Sequence, residues 1–504
     1  MEFNSIQFLI FFPLVTIMYF NMPKVLKKPW LLVCSYYFYM CWNPAYSLLI
    51  LFSTVSTYLC GFLIDISKHK AARKWALGIN IAVNIGILFF FKYFNFISQS
   101  VCGLLSLAGM NINPLLLDTD VFILPVGISF YTFQALGYSI DVYRGDIKHE
   151  KSFVNYALFV SFFPQLVAGP IERAKNFLPQ LHMDHTFEYS RASSGLKLML
   201  WGFFQKVVIS DAAELFIQKL FSNPYPYSGY ASALATVIFA VRIYCDFAGY
   251  SNIAIGAAEI LGFKLMRNFN HPYFSASIGD FWRRWHISLS TWLKDYIYIP
   301  LGGSRRGKFR HCLNLIITFL VSGLWHGARW TFVIWGAIHG VLSAIEAVLK
   351  KPVKFISEKL HLNKIRFITL PVRILFTFIL VCFSWVFFRA STISDALYIC
   401  KSIITDIARG GLFNGGEWLN ALYSLGLCTT QDTLVQLLCV RSGLTLAICV
   451  GFMLLMELCE IRRPINEVIQ AKVFPVRWAF CAVLLLAILF YGVFEASSFV
   501  YFQF

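Results

Sequence analysis

The amino-acid sequence predicts an all-α, polytopic membrane protein, and two observations carry that prediction. Hydrophobic residues make up 58% of the 504 residues and charged residues only 14%, whereas a soluble globular protein carries roughly 25% charged residues. Apolar runs of a length that can enter a bilayer recur along the whole chain. These observations exclude a disordered chain, a fibrous repeat and a soluble multidomain enzyme.

The candidate membrane segments, in chain order, are residues 8–20, 29–42, 46–64, 76–97, 121–140, 153–168, 195–213, 232–261, 312–324, 330–348, 367–388, 444–458 and 478–493. A full span requires roughly 20 residues, and several of these segments are shorter. We therefore expect about 11 true spans, with the other segments tilted, re-entrant or interfacial. We treat residues 1–504 as one integral membrane domain, with a motif core at about 121–350 and C-terminal spans within 365–504.

The formal net charge of +17 fits a membrane protein, because such proteins collect Lys and Arg in cytoplasmic loops. No soluble basic module is visible, so we predict a lipid bilayer and no nucleic acid as partner. The basic clusters, expected in the cytoplasm, lie at 24–28, 68–74, 144–151, 305–310, 350–366 and 462–463. Residues 43–45, 103–120 and 410–432 carry no Lys or Arg and are expected outside, together with both termini.

Ionisable residues within apolar segments are costly, so each is a candidate functional group. Arg242 and Asp246 lie four residues apart, a spacing that puts both on one helix face. They could form a structural ion pair that lets the helix insert, or they could belong to a site. We favour the structural pair, because one paired charge is cheaper than two lone ones.

Two histidines stand in the otherwise apolar stretch 321–340. Flanking basic clusters imply a hairpin with His326 near its bend, away from the cytoplasm and between Gly323 and Gly327. Glycine lets backbone or substrate approach closely, and a neutral imidazole can take a proton from a hydroxyl. His326 is therefore a candidate general base, with a packed histidine bonded to a backbone carbonyl as the alternative. His339 follows a continuous apolar run, which favours packing.

Residues 280–296 carry aromatic and cationic side chains at helical spacing. They predict an amphipathic or re-entrant helix near the cytoplasmic interface, in which His286 is either interfacial or functional. Ser288 and Ser290 lack a GxSxG motif, and the chain has no Walker loop. The histidines of the loops lack metal-ligand spacing, and the 13 Cys include no CxxC pair, so we predict no metal and no bound cofactor.

Five segments together resemble the membrane-bound O-acyltransferase family, and specifically its alginate O-acetylase-like bacterial branch. They are FNSIQF at 3–8, FFPQLVAGPIER at 162–173, YCDFAGYS at 244–251, FWRRWHISLSTWLKDYIYIPLGG at 281–303 and GLWHGARW at 323–330. The match runs from end to end, and the two motifs that contain His are long and specific. Asn252 departs from the pattern, since related sequences often carry Asp there.

The resemblance implies a ring of helices around a transmembrane tunnel, with His326 as the essential histidine and His286 as the second polar position. It implies transfer of an acetyl or other short acyl group from a cytoplasmic thioester to an extracytoplasmic polysaccharide. Acetyl-CoA is the implied donor, and in related systems an exported esterase-like protein completes the transfer. D-alanyl transfer to teichoic acid is an alternative within the family. A transporter or flippase without chemistry is a further alternative, although the two halves show no symmetry.

The implied chemistry suggests roles for other residues. A thioester carbonyl needs a hydrogen-bond donor as charge develops on it, and His286, Trp325 or a backbone N–H could provide one. Four arginines could hold the phosphates of coenzyme A, or could be ordinary cytoplasmic anchors. The residues expected to bind substrate are therefore Trp325, Arg283, Arg284, Asp295, Arg305 and Arg306.

Overall fold

The computed structural model describes residues 1–119, 122–361, 365–428, 442–460 and 474–494, and every regular element among them is helical. The all-α fold predicted from composition is confirmed. Contacts divide the chain into two compact units. Unit 1 comprises Met1–Met199 and Ile253–Met266, and unit 2 comprises Leu200–Asn252 and Arg267–Phe504.

The helices are numbered in chain order. The first ten are α1 Ile6–Asn21, α2 Lys24–Met40, α3 Ser47–Ile66, α4 Lys70–Leu88, α5 Phe94–Leu107, α6 Ile128–Arg144, α7 Phe153–Ser161, α8 Phe163–Leu166, α9 Ala174–Leu181 and α10 Tyr189–Phe203. The others are α11 Asp211–Ser222, α12 Gly229–Leu261, α13 Ile278–Arg284, α14 Ile287–Leu293, α15 Gly307–His326, α16 Trp330–Lys359, α17 Arg366–Arg389, α18 Ile393–Gly410, α19 Gly415–Ser424, α20 Gly443–Glu460 and α21 Phe474–Tyr491. Turns of π-helix occur at Phe89–Tyr93, Phe204–Ser210 and Lys294–Tyr298.

Six helical segments of the described residues are long and apolar enough to cross a membrane. They are Pro44–Ile66, Lys70–Leu107, Gly229–Leu261, Trp330–Lys359, Phe367–Arg389 and Gly443–Glu460. The surface of α17 shows the expected lipid-facing character, with Val372, Phe376 and Ile379 exposed. The chain is a multi-pass membrane protein, and the larger count of about 11 spans stays a prediction.

Some of the predicted segments are interrupted. The segment 153–168 is divided into two helices, α7 and α8. The division occurs before Pro164, because proline lacks an N–H and is tolerated only in the first turn of a helix. The segment 195–213 passes through the π-helical turn Phe204–Ser210, a feature that often marks functional regions. Some of the residues used in the sequence-based topology lie outside the described residues: Asp120, Val121, 429–432 and 462–463.

Helices α15 and α16 pack with their backbones in contact. A Cβ atom on Gly323 would lie 2.3 Å from the carbonyl oxygen of Phe332, and one on Gly336 would lie 2.4 Å from that of Phe319. Only glycine allows membrane helices to approach so closely. Of the two uses considered for the glycines beside His326, the structure therefore shows backbone approach at Gly323, whereas a Cβ atom on Gly327 would meet the side-chain ring of Phe332.

Candidate active site

His326 is the last residue of α15, and extended backbone follows it at Gly327. It is 4% exposed, and three aromatic rings surround its imidazole. The ring centroids of Trp325, Trp335 and Phe388 lie 5.0, 5.0 and 5.3 Å from that of His326, at interplanar angles of 83°, 87° and 73°. Such edge-to-face contacts are favourable and hold the imidazole in one orientation, which proton transfer requires.

His286 lies at a break between α13 and α14. Its backbone angles, φ 44° and ψ 55°, are in the left-handed region that residues with a side chain rarely adopt. The amphipathic or re-entrant helix predicted over 280–296 is helical but interrupted, because two short helices flank Trp285 and His286 and a π-helical turn follows. The side chain of His286 is 1% exposed, so it is buried within the protein.

The fold of unit 2 brings the two predicted catalytic histidines together. Their ring centroids are 6.4 Å apart, and the ring of Trp325 lies 5.7 Å from that of His286. Phe247 of α12 meets the His286 ring edge-on, with the centroids 4.6 Å apart and an interplanar angle of 87°. Residues 40 positions apart in the chain thus form one cluster, in which both imidazoles can contact the same reacting group.

His339 has the environment expected of a packed histidine. The indole Nε1 of Trp282 donates to its Nδ1 at 3.2 Å, and its Nε2 lies 2.8 Å from the hydroxyl oxygen of Ser384. The Ser384 hydroxyl itself donates to the carbonyl of Val381, so Nε2–H of His339 is the donor to Ser384. Both ring nitrogens are engaged by the protein, which confirms the packing prediction.

The structure corrects the predicted partners of Arg242 and Asp246. Arg242 Nε lies 2.8 Å from Glu214 Oε2 on α11, and Asp246 Oδ1 lies 2.7 Å from Lys206 Nζ in the π-helical turn. Arg242 and Asp246 each pair with a residue of another element, and each pair joins that element to α12. The ion pairs of the described residues form two triads, Asp211–Lys206–Asp246 and Arg242–Glu214–Arg389, whose formal charges of −1 and +1 sum to zero.

The predicted substrate-binding arginines lie nearer to solvent than the two histidines. The side chains of Arg283 and Arg284 pair with Asp280 at 3.3 and 3.2 Å, and they are 73% and 32% exposed. Arg305 and Arg306 are exposed in the turn before α15. Asp295 Oδ1 lies 4.0 Å from Lys294 Nζ in the π-helical turn that follows α14. Among these candidates only Trp325 lies within the ring cluster of His286 and His326.

Neither Phe247 nor Lys206 is a sequence-based candidate, although each contacts a residue that is. Two sequence signals point to Phe247: it lies in the 244–251 motif, and it follows Asp246 directly. Lys206 stands in the apolar segment 195–213, where an ionisable residue is itself a signal. Within the described residues, no group of three or more His, Cys, Asp or Glu side chains is arranged to hold a metal ion.

Comparison with known proteins gives a consistent answer. The profile of the membrane-bound O-acyltransferase family matches residues 146–393. A probable alginate O-acetylase from Pseudomonas putida is 39% identical over 421 residues, which cover 83% of this chain and 81% of that protein. A peptidoglycan O-acetyltransferase from Helicobacter pylori is 33% identical over 437 residues, which cover 80% and 79%.

A teichoic acid D-alanyltransferase from Bacillus subtilis is more distant, at 29% identity over 276 residues that cover 52% of this chain and 68% of that protein. The family profile includes both histidine motifs, and the relatives extend the similarity over most of the chain. The chain is therefore an acyltransferase that belongs to the membrane-bound O-acyltransferase family.

Proposed function

We propose that this protein transfers an acetyl or other short acyl group from a cytoplasmic thioester, across the membrane, to hydroxyl groups of an extracytoplasmic polysaccharide. The observation that carries the proposal is the buried cluster of His326, Trp325 and His286. Two imidazoles in one water-poor site suit the proton transfer and charge stabilisation that acyl transfer requires.

His326 acts as the general base. Its neutral imidazole takes the proton of the acceptor hydroxyl while the hydroxyl oxygen bonds to the carbonyl carbon of the thioester. The tetrahedral intermediate then collapses, the C–S bond breaks, and the imidazolium returns the proton to the departing thiolate. The products are an ester and a free thiol, and His326 is again neutral.

His286 and Trp325 provide hydrogen-bond donors for the carbonyl oxygen of the thioester. Negative charge develops on that oxygen in the tetrahedral intermediate, and an N–H donor fixed in a site of low polarity stabilises it strongly. The His286 imidazole and the Trp325 indole each carry such a group, and both rings contact the cluster of His326. The left-handed backbone of His286 fits this role, because strained residues are frequent at active sites.

Acyl-CoA is the donor that fits the charged residues of the same region. Arg283, Arg284, Arg305 and Arg306 lie toward solvent, where the diphosphate and 3′-phosphate of coenzyme A would remain. Coenzyme A is charged and cannot cross the bilayer, whereas its acyl end can enter an apolar passage from one side. Their sequence position predicts a cytoplasmic location for these arginines, with the N-terminus outside.

Relatives named for O-acetylation of alginate and of peptidoglycan support a polysaccharide acceptor outside the cytoplasm. An exported esterase-like protein would then receive the acyl group or pass it to the polymer. D-alanyl transfer to teichoic acid is the second candidate, and it has weaker support because the relative with that name matches only 52% of this chain.

The proposal is tested with the purified protein in sealed vesicles, with labelled acetyl-CoA outside and a soluble acceptor polysaccharide, with its exported partner, enclosed. We expect label to appear on the enclosed polymer and to depend on His326. Acceptor labelled only when it shares the donor's side of the membrane would contradict transfer across the bilayer.

A further inference from the structure

The backbone of His286 is held in a conformation that its own sequence does not favour. The left-handed region is disfavoured for residues with a Cβ atom, so surrounding contacts must maintain it. His286 is one of the residues with a positive φ other than glycine in the described chain, together with His271 and His361. Of these three, His286 is the one that faces the ring of His326.

Asn268 forms hydrogen bonds with both residues that follow His286. Its backbone carbonyl accepts the N–H of Ile287 at 2.9 Å, and its side-chain Oδ1 accepts the hydroxyl of Ser288 at 2.6 Å. Two residues further on, the N–H of Asn270 donates to the carbonyl of Arg284 at 2.9 Å. The irregular segment 268–270 is therefore hydrogen-bonded to the chain on both sides of His286.

The side-chain amide of Asn268 also connects this segment to α12. Its Nδ2 donates to the hydroxyl oxygen of Ser251 at 3.1 Å, and the residues of this chain of hydrogen bonds are all buried. Ser251 lies four residues after Phe247, so both are on one face of α12. This face of α12 therefore contacts the His286 region twice. Ser251 is hydrogen-bonded to Asn268, which bonds to the residues after His286, and Phe247 packs against the imidazole of His286.

We propose that Asn268 is a positioning residue for acyl transfer, which fixes the backbone of His286 so that its imidazole stays directed at His326. The proposal rests on the function proposed above for this site. The hydroxyl of Ser288 has a role in this arrangement as donor to Asn268, which also explains a buried serine beside a catalytic histidine. Loss of the amide should misplace the imidazole without removing it, and a small misplacement of a catalytic group can cost about 100-fold in rate.

The test compares Asn268→Ala with Asn80→Ala in reconstituted membranes. Asn80 is the matched control because its buried amide also donates to a serine hydroxyl, that of Ser139, at 3.1 Å, within unit 1. We expect Asn268→Ala to lower kcat by about 10- to 100-fold with KM for acetyl-CoA within about twofold of wild type. Asn80→Ala should keep the wild-type kcat. Equal kcat in both variants would overturn the proposal.

A double-mutant cycle separates positioning from a general structural role. If Asn268 acts through His286, then Asn268→Ala should have no further effect on kcat once His286→Ala has removed the imidazole. Effects that multiply in the double variant would overturn the proposal.

A second readout needs no turnover, so it separates failure of this proposal from failure of the proposed reaction. In protein labelled with [15N]histidine, the imidazole signals that disappear in His286→Ala should shift or broaden in Asn268→Ala and remain unchanged in Asn80→Ala. Unchanged His286 signals in Asn268→Ala would overturn the positioning role, whatever acyl group or acceptor the protein uses.

Discussion

At the scale of single residues, burial decides the protonation state of Glu172, which ends the 162–173 motif together with Arg173. The carboxyl group is 2% exposed, and its loss of hydration raises its pKa to about 7. The N–H of Met266 donates to it at 3.0 Å, which favours the charged form but does not outweigh burial. Between about pH 4.5 and pH 7 the folded chain therefore binds more protons at this site than the unfolded chain does.

The free energy of unfolding should consequently fall as the pH rises through that window, because the folded state disfavours the charged form of this carboxyl group. The total effect is on the order of 3 kcal/mol. Glu172→Gln keeps the size of the side chain and removes its titration, so the variant should gain thermal stability relative to wild type between pH 5 and pH 7.5. A difference between the two unfolding temperatures that stays constant over this range would contradict the raised pKa.

The sequence identified His326 and His286 because their motifs are long, but it did not predict how the two are held. Nothing in a linear pattern shows that Asn268 bonds to Ser288 and Ser251, or that His286 has a left-handed backbone. Those features depend on contacts between segments far apart in the chain. For Arg242 and Asp246 the helical spacing predicted a pair, whereas packing gave each residue a partner on another element.

At the scale of elements, the crossing of α15 and α16 positions His326 and depends on glycine. Gly336→Ala would place a methyl group 2.4 Å from the carbonyl oxygen of Phe319, which cannot move aside without shifting the helix. We expect a loss of about 1–3 kcal/mol in stability, seen as a lower unfolding temperature and yield in detergent.

Gly78→Ala in α4 is the matched control, because a Cβ atom there would have no neighbour within 4 Å. Ala favours a helix more than Gly, so this variant should be neutral or more stable by up to about 1 kcal/mol. Similar behaviour of the two variants would mean that α15 and α16 do not pack through their glycines.

The ion pairs that join α12 to the π-helical turn and α11 are expected to be structural. In Asp246→Ala, Lys206 keeps Asp211 as a partner, so the loss of stability should be smaller than the roughly 3–5 kcal/mol expected for a buried charge left without any partner. The yield of folded protein should still fall. Lys354→Ala, which removes an exposed pair with Glu358, should change the yield little. Normal yield of Asp246→Ala with abolished turnover would instead make Asp246 part of the active site.

Element boundaries were predicted best for the long apolar runs of α12 and α17, whereas α16 continues 11 residues beyond the predicted end at residue 348, to Lys359. They were predicted least well where the chain bends for local reasons. Pro164 divides one segment, the break at His286 divides another, and the π-helical turn at Phe204–Ser210 has no apolar signature of its own. Hydropathy reports whether a segment can be buried, but it does not report where a helix ends.

At the scale of the whole molecule, the distribution of Lys and Arg predicts the orientation in the membrane. Gly415 and Ser304 are both exposed, and the topology puts the first outside and the second in the cytoplasm. In a protein whose exposed Cys41 and Cys459 are replaced by serine, Gly415→Cys should react with an impermeant thiol reagent added to intact cells. Ser304→Cys should react only after the membrane is opened, and labelling of both in intact cells would contradict the topology.

Acyl transfer by His326→Ala tests the central claim most directly. The measurement uses labelled acetyl-CoA and reconstituted protein with acceptor and partner present, and compares His326→Ala, His286→Ala and His339→Ala at equal amounts of folded protein. We expect His326→Ala to lose about 10²- to 10⁴-fold in rate, His339→Ala to lose least, and His286→Ala to fall between them. A His326→Ala variant that keeps more than about a tenth of the wild-type rate would contradict the general-base assignment.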